Sequence, residues 1–340
     1  MIRDGRVGRG AVVVAAVAAL AFVAAFDDYA VQVTDYAPGA GGESGATEAL
    51  GPPSGAGLFS GSIATATLGV GGSVTLEFAG HCVNGPGTDL LVCENPFLVA
   101  GTSDSFAETC FVEVSSDGAH FARFPVSYTG LPGPFLPYTG APMAWYGGLA
   151  GVRPVLANPP LGPDPLDVVH AGGDAFDLSS LLDHPAVLAG DVNLDAIRWV
   201  RMLDIETGLA TDDQGVPIWD CGIDTSSSAD IDALVAVNND ANVGNGRPEV
   251  ELLLDATGFL TLSVRDNDGL KDIKAGLAAA IDETEIPFAA LLPFFLLIQY
   301  DSQSFTLVTG PVPPGAFPLE LRVGTQDKSG KFAGDALLLQ

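Results

Sequence analysis

The stretch Phe106–Pro125, FAETCFVEVSSDGAHFARFP, gives the clearest structural signal in the sequence and predicts two strands folded about one tight turn. From Cys110 to Ser115 the side chains alternate as in a strand with one apolar face. Ser116-Asp117-Gly118 then supplies residues that tolerate the left-handed backbone of a tight reversal. Because a two-stranded hairpin with an apolar face is barely stable alone in water, a second sheet must cover it. The hairpin therefore predicts a β-sandwich.

Composition agrees with an all-β chain. The 340 residues include 42 glycines and 24 prolines, which favour many short strands joined by turns. The 42 acidic residues outnumber 14 basic ones, giving a net charge of -28 at pH 7. A surface of that sign repels phosphate backbones and anionic lipid, so nucleic acid is not an expected partner.

The first 26 residues predict export. Arg3, Arg6 and Arg9 precede an apolar run from Ala11 to Phe26, which is short for a membrane span and ends in small residues. We expect residues 1–25 to be a signal peptide cleaved near Ala25, which leaves no transmembrane span; an uncleaved N-terminal anchor is the alternative. The mature protein is then secreted, extracellular or at the cell surface, with the periplasm as another compartment.

Strand and turn patterns divide the rest of the chain into two domains, 26–240 and 247–340, with the polar segment Asn238–Gly246 as the boundary. In the first domain a Pro- and Gly-rich stretch, Leu131–Val169, has no periodicity and predicts a long surface excursion of the kind that often carries function. The strands predicted around it, besides the hairpin, are Tyr29–Tyr36, Ser73–Phe78, Asp89–Glu94 and the central strand Ala196–Ile205.

The second domain has turn signals at the spacing of a small immunoglobulin-like sandwich. The apolar run Ile286–Leu297 is too short for a membrane helix and is interrupted by Pro287 and Pro293, so it predicts a buried strand and loop. The strands predicted here are Glu249–Leu254, Phe259–Val264, Ile298–Tyr300, Phe305–Val308, Leu319–Val323 and Ala336–Leu339.

With these pieces in place, the first domain resembles a family of exported bacterial proteins described as cell-surface proteins. The resemblance covers about two thirds of the chain and implies a jelly-roll sandwich similar to galactose-binding-like domains, without a known reaction. The second domain is similar to bacterial immunoglobulin-like surface modules, mainly through Val264–Leu270. The motifs that carry the first resemblance are Asp35–Gly39, Leu50–Pro53, Leu68–Ser73, Asn84–Asp89, Cys93–Asn95, Val112–Gly118, Gly148–Val152, Ala171–Leu178 and Asp230–Asn238.

No catalytic motif is present. The sequence has no Gly-x-Ser-x-Gly elbow, no His-Glu-x-x-His zinc helix and no phosphate-binding loop followed by lysine. The four histidines lie in separate segments, which does not favour a shared metal or a catalytic base. We therefore expect a protein that is not an enzyme.

Paired carboxylates predict Ca²⁺, because a hard cation is bound by six to eight oxygens and needs no histidine or cysteine. The competing interpretation is that aspartate favours turns and strand ends for its local hydrogen bonds, or lies there as surface charge. The resemblance points to Ca²⁺ as well, since jelly rolls of this kind commonly use one to tie a loop to the sandwich. The candidate ligands are Asp220, Asp224, Asp230, Asp232, Glu94, Asp174 and Asp177, with Asp212 and Asp213 as a further pair.

Two classes of function remain open. One is a non-catalytic surface or matrix protein that binds a glycan or protein of the cell surface or extracellular space, with the second domain as a spacer. The other is a secreted glycan-active hydrolase using paired acids such as Glu94 and Asp204. In either class aromatic rings near loops can stack on a sugar, and the candidates are Tyr138, Trp145, Tyr146 and Trp219. Core packing is the alternative for Trp219.

The four cysteines predict disulfides in an exported protein. Cys93 ends one predicted strand and Cys110 lies early in the next, so in an antiparallel pair the two can face each other. Cys82 and Cys221 lie in predicted loops and pair by elimination. Four cysteines allow three connectivities, so this pairing is a preference among them.

Overall fold

The computed structural model describes residues 28–42, 45–136, 139–159, 161–222 and 228–240, and beyond residue 248 it describes nine strands. The predicted signal peptide, the tip of the 131–169 excursion around Tyr138, and Asp224 lie outside these residues. In the described part the chain is built mostly of strands with very few helical turns, as the composition predicts.

The part before residue 241 contains fourteen strands among its described residues. One α-helical turn, α1, spans Pro185–Leu188, and 3-10 turns span Ala46–Ala49, Met143–Trp145, Leu178–Leu181 and Leu194–Ala196. The strands are β1 (Ala30–Ala37), β2 (Ala66–Thr67), β3 (Ser73–Cys82), β4 (Leu90–Cys93), β5 (Phe97–Leu98), β6 (Ser105–Phe106), β7 (Cys110–Ser115), β8 (Ala122–Arg123), β9 (Ser127–Tyr128), β10 (Tyr146–Gly147), β11 (Asp174–Phe176), β12 (Ile197–Asp204), β13 (Asp230–Ile231) and β14 (Ala233–Ala236).

The largest sheet of this part has five antiparallel strands in the order β1-β3-β12-β7-β8. The hairpin of the opening stretch is its β7-β8 edge, and β12 lies at the centre, as the imperfect alternation of Ala196–Ile205 predicts. The hairpin turn is held by Asp117, whose Oδ1 accepts the amides of Ala119 and His120 at 2.8 Å, and Gly118 takes φ of 75°. The predicted reversal is therefore confirmed at the predicted residues.

On the outer face of this hairpin, Glu113 pairs with two arginines. All of β7 is buried on both faces, which differs from the single apolar face that the sequence predicts. Glu113 is buried because Arg123 donates to its Oε1 at 2.9 Å and Arg201 to its Oε2 at 2.8 Å. The two guanidinium groups stack on the rings of Phe111 and Phe121, at 4.1 and 4.0 Å respectively, so charge pairing and apolar cover coincide on this face.

A three-stranded sheet, β11-β4-β14, packs against the large sheet across a common core. Val74, Leu76 and Phe78 of β3 face this core from the large sheet, and Leu90 and Val92 of β4 face it from the small one. The alternate apolar residues of β3 and β4 therefore form the two inner faces of a β-sandwich. The jelly-roll classification of this sandwich remains a prediction from the resemblance.

The 131–169 excursion is more buried than the sequence predicts. Leu91 and Cys93 point away from the sandwich core, and Val155 and Ala157 of the excursion cover them on the far side of the small sheet. Other residues of the excursion, with Ile205 and Ile218, form a further apolar cluster beside the large sheet. The excursion therefore covers the apolar far side of the small sheet and packs against the apolar residues beside the large one.

The predicted disulfides are absent. All four cysteines of the chain lie among the described residues as buried thiols, and none is bonded to another. Cys93 belongs to β4 and Cys110 to β7, which lie in different sheets, so the antiparallel pairing assumed from the sequence does not exist. Cys93 also points into the far-side cluster while Cys110 points into the sandwich core, and Cys82 and Cys221 lie in different clusters as well.

The nine strands beyond residue 248 form two sheets. One is β15-β16-β21-β20, and the other is β17-β22-β18-β19 with β23 added on β22. All six strands predicted in this part overlap strands of the structure, whereas β17, β18 and β19 were not predicted. The immunoglobulin-like assignment stays a prediction. They are β15 (Glu249–Leu254), β16 (Phe259–Arg265), β17 (Leu270–Asp272), β18 (Leu277–Ala279), β19 (Thr284–Ile286), β20 (Phe295–Tyr300), β21 (Ser304–Pro311), β22 (Glu320–Asp327) and β23 (Phe332–Leu338).

Within the described residues, no helix has the length and apolar character needed to cross a membrane.

Candidate functional site

Two tryptophans that the sequence singles out pack against the same loop, at Gly130 and Gly133. Gly133 packs against the Trp219 ring, where an added Cβ would lie 2.6 Å from Cε3, and Gly130 packs equally closely against Trp145. Both tryptophans are partly exposed, and Phe135 stacks on Trp145 with ring centroids 6.2 Å apart. We call Phe135, Trp145 and Trp219 the aromatic platform. The glycines at 130 and 133 are required because only a residue without Cβ lets the backbone approach the rings so closely.

Tyr146 is buried beside the aromatic platform and fixes the backbone of Trp219. Its ring is only 3% exposed, and its hydroxyl donates to the carbonyl oxygen of Trp219 at 2.9 Å. Tyr128 packs beside it at 5.5 Å and donates to the carbonyl oxygen of Leu131, which fixes the start of the loop. Tyr146 is therefore a packing residue and is too buried to stack on a ligand, contrary to the sequence expectation. Tyr138 lies outside the described residues.

Exposed leucines border the aromatic platform. Leu131 and Leu136 of the loop are 65% and 73% exposed, and Leu209, next to the glycine that contacts Trp219, is 76% exposed. Large exposed apolar side chains grouped around aromatic rings are typical of binding surfaces. The platform with these leucines forms an apolar patch at the surface of the first part of the chain.

The second group consists of acids at one end of the sandwich. Glu94 follows the last residue of β4, Glu108 precedes β7, Asp204 ends β12, Asp220 lies in a loop and Asp230 begins β13. The register explains why they meet, since Asp204 is opposite Cys110, two residues after Glu108, and Cys93 is opposite Ala233. The strongest electrostatic neighbours of Glu108 are the carboxyl groups of Asp230, Asp220 and Asp204, and Glu94 neighbours Glu108 and Asp230. We call these five residues the carboxyl cluster.

Members of the cluster accept hydrogen bonds from distant backbone amides. Asp204 accepts the amides of Gly71 and Ala229, both at 2.8 Å, and Asp220 accepts the amide of Thr109 at 3.0 Å. These bonds connect segments that are far apart in sequence, so the acids tie loops together rather than shaping a local turn. From the sequence Asp204 was named as a hydrolytic acid and Asp220 as a cation ligand, and in the structure both join distant loops through backbone amides.

The other predicted cation ligands are engaged elsewhere. Asp232 accepts the amide and the hydroxyl of Ser54, at 2.9 and 2.7 Å. Asp174 accepts the amides of Gly151 and Val152, and Asp177 caps the 3-10 turn that follows it. In the same way Asp212 and Asp213 accept the amides of Tyr128 and Val126. Asp224 lies outside the described residues.

Burial raises the pKa of every acid in the carboxyl cluster, because a desolvated carboxylate loses its hydration. The pKa of Asp204 and that of Asp220 rise to about 7. Burial and the neighbouring carboxylates raise the pKa of Glu108 to about 9. The pKa of Glu94 lies well above its ordinary value and that of Asp230 is also raised, again through burial.

Glu94 and Asp204, which the sequence suggests as a hydrolytic pair, are not placed for hydrolysis. Glu94 is fully buried and Asp204 is nearly so, and both oxygens of Asp204 already accept backbone amides. A glycosidase needs both carboxyl groups facing the scissile bond from an open cleft. Glu94 and Asp204 cannot reach a substrate in this arrangement.

Across the described ranges, no group of three or more histidine, cysteine or acidic side chains is arranged to hold a metal ion directly. Five buried side-chain atoms of the described part have no hydrogen-bond partner at ordinary distance and angle, and two of them, Glu94 Oε2 and Asp230 Oδ1, belong to the carboxyl cluster.

Sequence patterns missed two important acids. Glu108 lies in the opening stretch but outside its alternating part, so periodicity gave it no role. Asp89 precedes β4 and accepts the amides of Gly85 and Leu178 and the side-chain amide of Asn238, all at 2.8 Å. In the sequence Asp89 is visible as an acid directly before an apolar strand. Acidic residues are seldom fully buried, so its burial could not be expected from this pattern.

Comparison with protein-family models gives no match, and no curated protein matches the chain at a significant level.

Proposed function

We propose that the chain is a secreted or cell-surface protein that binds a glycan without catalysing a reaction. The observation that carries this is the aromatic platform, in which two partly exposed tryptophans and a phenylalanine are fixed by one loop. Rigid aromatic side chains lose little conformational entropy on binding and offer an apolar face to the C–H groups of a sugar ring. The resemblance to exported cell-surface proteins and the basic, then apolar, start of the sequence support the location.

The burial of Glu94 and Asp204 supports binding over hydrolysis. A binding protein of this kind needs a preformed surface. The Tyr128 hydroxyl holds the loop at Leu131, and the Tyr146 hydroxyl holds the backbone of Trp219. A partner protein is the alternative occupant of the same patch, because the exposed leucines at 131, 136 and 209 suit an apolar protein surface too. The net charge of -28 makes nucleic acid and acidic polysaccharides poor ligands.

The test is a glycan array probed with the secreted chain, followed by incubation of each bound glycan and analysis of its size. Binding to a neutral glycan that stays intact is the expected result. Release of shorter sugars would contradict the non-catalytic assignment, and the absence of binding across neutral glycans would contradict glycan recognition.

A further inference from the structure

The backbone leading to Trp219 is fixed by bonds from neighbouring segments. Ile218 donates its amide to the carbonyl oxygen of Ala210 at 2.9 Å, and the carbonyl oxygen of Ile218 accepts the Gly208 amide at 2.6 Å. The carbonyl oxygen of Trp219 accepts the Tyr146 hydroxyl at 2.9 Å. These bonds hold the chain up to Trp219, and none of them depends on the side chain of the residue that follows.

Asp220, the next residue, is held through its side chain as well as its backbone. It is 5% exposed, and its Oδ2 accepts both the amide and the hydroxyl of Thr109, at 3.0 and 3.3 Å. Its own amide donates to the hydroxyl oxygen of Thr207 at 3.1 Å, and the Cys221 amide donates to the carbonyl oxygen of Ala107 at 2.8 Å. Thr109 is fully buried directly before β7, so the Asp220 carboxyl group ties this loop to the start of a strand of the large sheet.

The Trp219 ring fits closely against the backbone of two loops. A Cβ added to Gly208 would lie 2.7 Å from Cη2 of the ring, and one added to Gly133 would lie 2.6 Å from Cε3. Both ring atoms belong to the six-membered part of the indole. Because dispersion contacts are lost over fractions of an ångström, the ring keeps its place only if the backbone on both sides of Trp219 is held firmly.

An acid at position 220 has a cost in stability. Burial raises the pKa of Asp220 to about 7, so ionising this carboxyl group inside the protein costs free energy. Residues that break a local rule in this way are expected mainly at functional sites. The ionisable groups that have Asp220 as an electrostatic neighbour are the carboxyl groups of Glu108 and Asp204, the thiols of Cys110 and Cys221 and the phenols of Tyr128 and Tyr146.

We propose that Asp220 is a positioning residue of the aromatic platform, because its bonds to Thr109 fix the orientation in which Trp219 meets a sugar ring. The inference rests on the proposed function and adds to it a residue whose side chain is too buried to touch the ligand. Asp220 acts through the backbone that it shares with Trp219. The role requires an acceptor at position 220 and does not require a charge.

The experiment measures how far acrylamide quenches the fluorescence of Trp219 in the full chain. The chain has three tryptophans, so Trp145→Phe combined with Trp199→Phe leaves Trp219 as the single reporter. In this background Asp220→Ala removes the acceptor, and Asp220→Asn keeps one. The matched control is Asp89→Ala, since Asp89 is a fully buried acid that also accepts backbone amides but takes no part in the platform. Circular dichroism checks that each variant is folded.

We expect Asp220→Ala to lose the protection of Trp219 from acrylamide, and Asp220→Asn to restore it, because the amide oxygen of asparagine replaces the acceptor. Asp89→Ala should leave Trp219 as protected as in the parent, even where it lowers stability. If Asp220→Ala does not fold, Thr109→Val takes its place, since it removes the hydroxyl donor and keeps the amide, and a smaller loss of protection is then expected.

Unchanged protection of Trp219 in the folded Asp220→Ala variant, or in Thr109→Val where that one is used, overturns the proposal. Equal exposure of Trp219 in Asp220→Ala and Asp89→Ala overturns it too, because the effect is then a general loss of packing. An Asp220→Asn variant as exposed as Asp220→Ala would exclude the role of the acceptor.

Glycan binding is measured separately, on an array of neutral glycans, with Asp220→Ala in the chain that keeps all three tryptophans. Affinity should fall about tenfold if about a tenth of the molecules hold Trp219 in the binding orientation. Undiminished binding would overturn the positioning role. Quenching needs no ligand, so an array without any binding by the wild type contradicts the proposed function alone, and the quenching result then decides whether Asp220 holds Trp219 in place.

Discussion

The backbone amide of Asp230 donates a 2.6 Å hydrogen bond to Oε1 of Glu94 across 136 residues of sequence. This bond fixes the start of β13 against the end of β4, and Glu94 is fully buried where it is made. A side chain without an acceptor at this place would leave the Asp230 amide unsatisfied inside the protein.

The first prediction concerns this bond in the presence of a chelator. Glu94→Ala should lower the free energy of unfolding by about 2 to 3 kcal/mol, because it leaves a buried donor unpaired and opens a cavity. Glu94→Gln should cost less than about 1 kcal/mol, since its oxygen replaces the acceptor without ionising. Urea unfolding measures both values, and equal losses in the two variants would contradict the role of the bond.

Stability should fall as pH rises from about 5 to 9. The folded chain holds protons on Asp204 and Asp220 up to about pH 7 and on Glu108 up to about pH 9, whereas the unfolded chain loses them near the ordinary values of 3.8 and 4.5. The stability that these groups contribute is complete below those ordinary values and is lost as pH rises through the folded ones. Melting midpoints in chelator at several pH values test this.

In that series Glu108→Gln should flatten the decline between pH 7 and 9, because it removes the group that titrates last. A midpoint that rises steadily from pH 5 to 9 would show that the cluster is ionised in the folded state.

Glu113→Ala should destabilise the hairpin edge by about 2 kcal/mol. It removes an acceptor shared by Arg123 and Arg201, and hydrogen bonds to charged groups contribute about 1.5 to 3 kcal/mol. The arginines are partly exposed and regain water, which limits the loss. Asp195→Ala, on an exposed turn, serves as the control in urea unfolding, and equal midpoints for the two variants would contradict this account.

Reduction should leave the protein unchanged, because the four cysteines are buried thiols. Burial raises the pKa of Cys221 to about 12 and that of Cys82 and Cys110 well above the ordinary value, so alkylation of the native protein should be slow. Intact mass after alkylation in denaturant should show four added groups. A melting midpoint lowered by dithiothreitol, or fewer than four added groups, would contradict this prediction and indicate disulfide bonds.

Local patterns predicted the strands well, because alternation and turn residues act within a few positions. The hairpin at Asp117-Gly118 and the central strand β12 are examples. The partner of β4 could not be predicted in this way, since its neighbours β11 and β14 lie about 80 and 140 residues further along the chain. The assumed neighbour, β7, is in the other sheet, and the disulfide prediction failed with that assumption.

The candidate site, like the fold, was predicted from the sequence only in part. Trp145 and Trp219 could be named as aromatic residues near predicted loops, but their shared contact with the loop at Gly130 and Gly133 arises from tertiary packing. The sequence named several of these acids as cation ligands but gave Glu108 no role. The bonds of the predicted acids to amides up to 178 residues away depend on topology. Tyr146 was misassigned because a tyrosine near a loop has the same sequence signal whether its ring is buried or exposed.

The central claim is that the aromatic platform binds glycans, and its most direct test is the glycan array repeated with Trp145→Ala and Trp219→Ala. The matched control is Trp199→Ala, because Trp199 contacts Gly118 in the hairpin turn and takes no part in the platform. Circular dichroism establishes that all three variants are folded. We predict that each platform variant loses about tenfold in affinity, equivalent to about 1.4 kcal/mol, while Trp199→Ala binds as the wild type. Undiminished binding by both platform variants would contradict the claim.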